Sequence, residues 1–247
     1  MKMDKKNYTI SANVPIAPQV YRMELTAEAA PQLRAGQFVE VAVPGLFLRR
    51  PLSVSLSEPG RLTLRYKVVG GGTAVLAAMQ PGTGLELLTG LGNGFDLDAC
   101  PGRALLLGGG IGIAPLHQLC RDLRAAGRPV TALLGFNTAS EIILCDELRA
   151  LGAEVHVATA DGSAGIRGFV TDALQQVAPK FDYYYVCGPM PMMRALYPLL
   201  PDCGEFSLEE RMGCGTGLCF GCTIPTTDGP QRICHDGPVF KKNLLPW

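Results

Sequence analysis

Four cysteines near the C-terminus have a spacing typical of iron–sulfur ligands. They are Cys214, Cys219, Cys222 and Cys234, and their pattern is Cys-x4-Cys-x2-Cys-x11-Cys. Two irons bridged by sulfides take four thiolates, and three cysteines in one loop with a distant fourth form the plant-type [2Fe–2S] arrangement. The pattern therefore predicts a [2Fe–2S] cluster and a protein that handles single electrons.

Two other interpretations of these cysteines remain open at this point. A structural zinc site usually takes paired Cys-x2-4-Cys knuckles, which three crowded cysteines and a lone one do not form. Disulfides or unligated thiols are the remaining alternative. The glycines Gly213, Gly215, Gly217 and Gly221 favour the cluster, because a loop that points its N–H groups at an anion often needs a positive φ.

Composition favours a well-packed globular protein. Apolar residues make up 47% of the chain and charged residues 18%, with a formal net charge of zero. These values argue against disorder and against a nucleic-acid partner. We find no segment typical of a signal peptide and no run of about 18 apolar residues for a membrane span. With nine cysteines and no secretory signal, we expect a cytoplasmic location.

The first part of the chain has the alternation of half-buried strands. Apolar and polar residues alternate over 37–43, 52–56 and 61–68, and glycine and proline separate these segments. Such a pattern predicts antiparallel strands. We expect a β-barrel over residues 1–99, with one short helix at 74–79.

The pattern changes at residue 100 to alternating buried strands and amphipathic helices. The strands are predicted at 104–107, 130–134, 155–159 and 183–187, and the helices at 115–126, 141–151, 169–177 and 190–199. Alternation of this kind predicts a parallel sheet covered on both faces. We assign residues 100–203 to this α/β domain and 204–247 to an irregular cluster-binding subdomain.

Two turns of the predicted sheet are candidates for nucleotide binding. A glycine-rich turn at 108–112 lies between a strand and a helix, where free N–H groups can bind a pyrophosphate. It is not the ordinary dinucleotide fingerprint, because Ile113 takes the place of the third glycine. Cys187, Gly188 and Pro189 follow a later strand, and ligands of open α/β sheets lie at the carboxyl ends of strands. Taken singly, the glycine-rich segment is also compatible with an ordinary tight turn, and Cys-Gly-Pro is more often a turn that ends a strand.

Two further motifs lie in the predicted barrel. Arg50, Pro51, Leu52 and Ser53 combine a phosphate-binding guanidinium with a hydroxyl. Residues 70–73, three glycines and a threonine, offer N–H groups just before the short helix. The alternatives are a surface arginine pair and a hairpin loop.

The order of these motifs along the chain resembles the ferredoxin–NADP reductase superfamily. The tail 207–215 is similar to one branch, the electron-transfer subunits of two-subunit, NAD-dependent (class 1B) dihydroorotate dehydrogenases. The resemblance covers about residues 5–245. It implies an N-terminal antiparallel flavin-binding β-barrel, a parallel α/β nucleotide-binding domain and a C-terminal [2Fe–2S] subdomain.

The resemblance also implies roles for individual residues. The residues expected at FAD are Arg50, Pro51, Leu52, Ser53, Arg65, Tyr66, Lys67, Gly72 and Thr73. Those expected at the nicotinamide nucleotide are Gly110, Gly112, Pro115, Cys187, Gly188 and Pro189, with Asp161 near the ribose. The four C-terminal cysteines would hold the cluster.

The function implied by the resemblance is electron transfer between NAD(H) and a catalytic partner that contains FMN and oxidises dihydroorotate in pyrimidine biosynthesis. FAD and the cluster would be the resident cofactors, and two chains of each kind would form a heterotetramer without nucleic acid or membrane. The small flavin subunits of sulfide dehydrogenases and of NADH-dependent ferredoxin–NADP reductases are the nearest alternatives. A metal-bearing interaction module that merely keeps the fold is the alternative outside enzymes.

Overall fold

The computed structural model describes residues 3–247, and its first half is a closed antiparallel barrel with the strand order β1-β2-β5-β4-β3-β6. The barrel consists of β1 (Asp4–Ala17), β2 (Val20–Thr26), β3 (Phe38–Val41), β4 (Arg50–Glu58), β5 (Arg61–Lys67), α1 (Gly71–Ala78) and β6 (Gly84–Leu91). Alternating side chains such as Val39, Val41 and Leu64 fill its interior. The predicted barrel is confirmed, and the short helix begins three residues earlier than expected.

The second half is a seven-stranded sheet with the order β10-β9-β8-β7-β11-β12-β15. Its strands are β7 (Ala104–Gly109), β8 (Val130–Phe136), β9 (Glu154–Thr159), β10 (Ile166–Arg167), β11 (Tyr183–Cys187), β12 (Gly204–Ser207) and β15 (Val239–Lys241). The helices are α2 (Ala114–Ala125), α3 (Cys145–Ala150), α4 (Val170–Val177) and α5 (Met190–Leu196). Leu106 and Leu107 of β7 belong to separate cores on the two faces of the sheet. Burial on both faces explains the uninterrupted apolar run of this strand.

Two helices differ from the prediction. The segment expected to be helical from residue 141 first forms a 3₁₀ turn (Ala139–Glu141), and Leu144 then takes a φ of 66°, so that α3 begins only at Cys145. Helix α5 ends at Leu196 and continues as a 3₁₀ turn (Tyr197–Leu199). Pro198 lacks the N–H group that a further α-helical turn would need.

The C-terminal subdomain is not separate from the sheet. Strand β12 pairs in parallel with β11, and β15 pairs antiparallel with β12, so residues 204–207 and 239–241 extend the α/β sheet. The boundary at residue 204 stays a prediction, and only the segment between these two strands stands apart from the sheet. That segment carries the cluster cysteines and a two-stranded ribbon of β13 (Thr223–Thr226) and β14 (Gly229–Arg232).

The barrel and the sheet are joined through helix α2. Gln118, whose side chain is buried, accepts a hydrogen bond from the backbone N–H of Ser57 at 2.8 Å and donates one to the carbonyl of Leu33 at 2.6 Å. Arg121 of the same helix donates to the carbonyl of Ser57. These bonds fix the helix that follows the glycine turn against the barrel. Within residues 3–247, no helix has the length and apolar character to cross a membrane.

Candidate functional site

The four C-terminal cysteines stand as two pairs of thiols. The Cys214 and Cys219 side chains interact with each other, as do those of Cys222 and Cys234. Within residues 3–247, no three His, Cys, Asp or Glu side chains are grouped around one ion-sized point. A two-iron cluster needs two thiolates on each iron, whereas zinc needs its ligands around a single ion. The paired thiols fit the two-iron cluster better.

Backbone N–H groups of the loop point at the cysteine sulfurs. Thr216 and Cys219 donate to Cys214 Sγ at 3.4 Å, and Gly217 donates to Cys234 Sγ at 3.1 Å. Burial raises the pKa of Cys214, but these donors outweigh it and lower the pKa to about 6. Burial, followed by the neighbouring Cys222 thiol, raises the pKa of Cys234 to about 12. The loop thus provides the donors that an anionic sulfur ligand requires.

Arg232 connects the two cysteine-bearing segments. Its guanidinium donates to the carbonyl of Gly217 at 2.9 Å and to the Asp236 carboxylate at 3.1 Å. It also lies 5.0 Å from the centre of the Phe220 ring. These contacts hold the triple-cysteine loop against the segment of Cys234.

The predicted flavin motifs meet on one side of the barrel. The Arg50 guanidinium of β4 lies directly over Gly72 at the start of α1, where a Cβ would collide with Arg50 Nε. Thr73 Oγ1 accepts hydrogen bonds from the N–H groups of Val69 and Gly70 and donates to the Gly70 carbonyl. Two segments that lie about 20 residues apart in sequence therefore form one cradle with a positive charge and a helix N-terminus, which suits a phosphate.

Of the three β5 residues expected at the flavin, only Lys67 lines the main cavity. Tyr66 points into the barrel, where its hydroxyl donates to Asn13 Oδ1. Arg65 points to the boundary with the α/β domain, where it donates to Ser55 Oγ at 2.6 Å and faces His117 Nδ1 at 3.2 Å. The Arg65 and Tyr66 side chains thus lie outside this cavity, and their expected contacts with the flavin stay a prediction. Alternation along the strand turns Tyr66 inward, and helix α2 covers Arg65.

The two turns of the sheet meet at a cavity of about 670 Å³. A Cβ on Gly112 would lie 2.5 Å from Gly188 Cα, so the glycine turn and the turn after β11 are in direct backbone contact. Gly110, Gly112, Gly188 and Pro189 all line the cavity, and Lys67 reaches it from the barrel. Apolar walls with a few polar groups and exposed backbone suit a nucleotide.

Three residues expected at the nucleotide do not line this cavity. Pro115 is packed at the start of α2, and Cys187 is buried behind the turn, where burial raises its pKa. The Asp161 carboxylate accepts two hydrogen bonds from Ser163, and these bonds lower its pKa. These side chains shape the turns rather than the cavity wall.

The cavity wall also contains residues that sequence reasoning missed. Phe169, Met192 and Glu209 line it, and so does Glu141, whose carboxylate lies 3.9 Å from Lys67 Nζ. Glu209 directly follows the Ser207–Leu208 part of the tail motif, which was the one sequence signal for it. Phe169, Met192 and Glu141 had no sequence signal, because the elements that carry them meet at the cavity only in the folded protein.

A further missed residue lies between the barrel and the cluster loop. Glu40 of β3 is 2% exposed, and a Cβ on Gly215 would collide with its carboxylate. Burial raises the pKa of Glu40 to about 7, against the opposing effect of Arg49. Glu40 pairs in register with Pro51, so the flavin strand lies next to the strand that supports the cluster loop.

Comparisons with known proteins agree with this arrangement. Residues 209–245 match the iron–sulfur cluster binding domain of dihydroorotate dehydrogenase B, and residues 106–197 match the oxidoreductase NAD-binding domain. The dihydroorotate dehydrogenase B (NAD(+)) electron transfer subunit of Lysinibacillus sphaericus (strain C3-41) is 43% identical over 93% of this chain and 94% of its own length. Its counterpart from Fusobacterium nucleatum is 37% identical over 96% of this chain and 97% of its own length.

Solved structures show the same fold. A structure of an NADH-dependent reduced ferredoxin–NADP oxidoreductase superposes with a TM-score of 0.89 at 31% identity, over 97% of this chain and 90% of that one. Phthalate dioxygenase reductase, at 23% identity, has a TM-score of 0.69 over 84% of this chain and 70% of its own. The second likeness concerns the fold alone.

Proposed function

Because the chain belongs to the family of dihydroorotate dehydrogenase B (NAD(+)) electron transfer subunits, we propose that it carries electrons between NAD(H) and the FMN of a catalytic dihydroorotate dehydrogenase subunit. The resident cofactors are FAD and a [2Fe–2S] cluster, and NAD(H) is the substrate. In this role the chain is the oxidoreductase component that serves pyrimidine biosynthesis.

The proposed ligands combine the geometry described above with the resemblance to the family. FAD is held by Arg50, Pro51, Leu52, Ser53, Arg65, Tyr66, Lys67, Gly72 and Thr73, the cluster by Cys214, Cys219, Cys222 and Cys234, and NAD(H) by Gly110, Gly112, Gly188 and Pro189, with Pro115 and Cys187 behind them. FAD supplies the link between a two-electron donor and a one-electron carrier.

The side chains of this protein bind, orient and insulate the cofactors. The Arg50 guanidinium and the N-terminus of α1 neutralise phosphate charge. Gly112 and Gly188 let the two turns of the nucleotide site approach each other, because a Cβ on Gly112 would lie 2.5 Å from Gly188 Cα. Lys67 spans the boundary between the flavin strand and the nucleotide cavity.

One observation carries the proposal. Strand β3 supports the cluster loop through Glu40 and Gly215, and its hydrogen-bonded neighbour β4 carries the Arg50 motif. The two proposed cofactor sites are therefore one strand apart, which is the proximity that electron transfer between them needs.

The proposed catalytic partner covers the cluster loop. Leu218 is 82% exposed and Phe220 is 64% exposed, and they flank the exposed Cys219. Large apolar side chains beside a redox centre suit a protein interface that excludes water. We assign this face to the FMN-containing subunit, in a complex of two chains of each kind.

The NADH-dependent reduced ferredoxin–NADP oxidoreductase likeness supports a second candidate, a flavin subunit that serves a different large subunit. Anaerobic purification with the catalytic dihydroorotate dehydrogenase subunit distinguishes the two. We expect the complex to reduce NAD⁺ with dihydroorotate, and the isolated chain to oxidise NADH only with artificial acceptors.

Two results would overturn the proposal. One is oxidation of dihydroorotate by the isolated chain. The other is a complex in which NADH bleaches the flavin but leaves the irons oxidised, because the proposed route would then be broken.

A further inference from the structure

Glu40 is a buried acid without a full set of partners. Its side chain is 2% exposed, and Oε1 has no hydrogen-bond partner in residues 3–247. A buried carboxylate oxygen without a partner is costly, because it has lost its water and gained nothing in exchange. Packing alone therefore does not explain why an acid occupies this buried position.

The surroundings of Glu40 place it between the two proposed redox centres. On one side its carboxylate occupies the space that a Cβ on Gly215, the residue after Cys214, would take. On the other side Glu40 pairs with Pro51 of the flavin strand. The Phe38 side chain, on the same face of β3, packs in one core with Cys222 and Cys234.

Within residues 3–247, Arg49 is the one cationic side chain hydrogen-bonded to Glu40, and Arg50 acts on it only through its charge. Arg49 donates to the main-chain carbonyl of Glu40 at 3.5 Å, and its guanidinium also binds the Glu86 carboxylate. Glu86 in turn pairs with the exposed Lys5. The positive charge of Arg49 is thus shared with a second acid, and the Glu40 carboxylate is left facing the cluster loop.

We propose that Glu40 sets the reduction potential of the [2Fe–2S] cluster by holding a carboxylate against the cluster loop. The inference rests on the proposed function, since it assumes the cluster. A negative charge nearby disfavours a further electron on the irons, and burial strengthens the effect because water does not screen it. Glu40 acts through the field at the cluster and is a positioning residue, not a ligand.

The couple concerned is the one-electron reduction of the cluster, in which one ferric iron becomes ferrous. The electron comes from the reduced FMN of the catalytic subunit in the complex and from dithionite in the test. A carboxylate that lowers this potential keeps the electron from being held on the cluster. It therefore favours onward transfer to FAD.

The test is an anaerobic redox titration of the purified, FAD- and iron-loaded chain, followed by the electron paramagnetic resonance signal of the reduced cluster. The titration is run at about pH 9, because burial raises the pKa of Glu40 to about 7 and the proposal concerns the ionised carboxylate. The isosteric Glu40→Gln removes the charge and keeps the volume. We expect its cluster to bind the electron about tenfold more strongly, which is a potential about 59 mV higher. Glu40→Asp keeps the charge. We expect the equilibrium constant for reduction of its cluster to stay within about twofold of the wild-type value.

Glu210→Gln is the matched control, because it removes an exposed carboxylate four residues before Cys214 and leaves the Arg49 contact unchanged. We expect no more than about a twofold change there, owing to solvent screening. Equal potentials in Glu40→Gln and the wild type overturn the inference. A potential in Glu40→Asp that rises as much as in Glu40→Gln also overturns it, and so does loss of iron in Glu40→Gln. Either result assigns Glu40 a purely structural role.

The two levels of proposal fail in different ways. A wild-type chain that binds no iron overturns the proposed function. A wild-type chain with its cluster, and a Glu40→Gln chain with the same cluster and the same potential, overturn only the role of Glu40.

Discussion

The barrel makes two interfaces, and they are built in different ways. Against helix α2 it uses complementary polar groups, because Gln118 pairs with both an N–H and a carbonyl of the barrel. Against the C-terminal tail it presents Glu40, with an unpartnered oxygen, to a loop of thiols and glycines. The first interface pairs its buried polar groups, whereas the second leaves one buried carboxylate oxygen without a hydrogen-bond partner in residues 3–247. The polypeptide itself therefore satisfies the polar groups between the barrel and α2, but not the acid beneath the cluster loop.

The largest expected effect concerns the second interface. We expect Cys222→Ser to lose the cluster almost entirely, because each iron needs two thiolates. Reduction of the flavin by NADH should persist, since the α2 interface is untouched. Iron content and the visible spectrum measure both. Cys203→Ser, at a half-buried cysteine outside the loop, is the control, and a cluster retained in Cys222→Ser would contradict the assignment.

The first interface is tested by Gln118→Leu. This change leaves the N–H of Ser57 and the carbonyl of Leu33 without partners, and we expect the free energy of unfolding to fall by about 2–4 kcal/mol. Urea unfolding at a fixed FAD concentration measures it. For the control Gln80→Leu, at an exposed glutamine that bonds only the Ala78 carbonyl, we expect a change within about 0.5 kcal/mol. Equal stabilities of the two variants would refute the role of Gln118.

A pH dependence should also arise at the first interface. Burial, followed by Arg65 and Arg121, lowers the pKa of His117 to about 4. At pH values between about 4 and 6.5, His117 therefore binds a proton in the unfolded chain but stays neutral in the folded protein. Stability should therefore fall with decreasing pH, by up to about 3 kcal/mol at pH 4.

The measurement is the difference between the wild type and His117→Gln in urea unfolding from about pH 4 to pH 7. A difference is needed because Glu40 and Glu205, whose pKa values burial raises to about 7, favour the folded state at low pH. We expect the wild type to lose more stability than the variant on acidification. Parallel curves would contradict the burial of a neutral His117.

The smallest effect is expected at Gly215, where φ is 66° and a Cβ would meet Glu40. For Gly215→Ala we expect a strain of about 1–2 kcal/mol and faster loss of iron to a chelator. Gly221→Ala is the control, because its Cβ would lie 3.5 Å from Cys219 Sγ, which is ordinary contact. If both variants released iron at the same rate, Glu40 and Gly215 would not define this interface.

Local patterns in the sequence were enough for most of the fold. The alternation over 61–68 and the apolar run at 104–107 predicted β5 and β7. The pattern of apolar residues along a strand depends on which of its faces are buried. The cysteine spacing predicted the cluster, since three of the four proposed ligands belong to one short segment of the sequence. The start of α3 was wrong, because the positive φ of Leu144 has no signal in that leucine.

The sites were less predictable where they depend on distant elements. Glu40 alternates with Val39 and Val41 and would be expected to face water, but the cluster tail covers that face of β3. Arg65 is predicted at the flavin from its sequence position, and the sequence gives no sign that its guanidinium lies 3.2 Å from His117 of α2. Neither covering element is near in sequence.

By itself the sequence determined the order of the elements, the faces they bury and the thiols that a cluster needs. Only the tertiary structure decided that Arg50 meets Gly72, that β12 and β15 join the sheet, and that Glu40 lies beneath Gly215. The physical reason is that periodicity reports whether a residue is covered within its own element. What covers it depends on how segments far apart in the chain pack together.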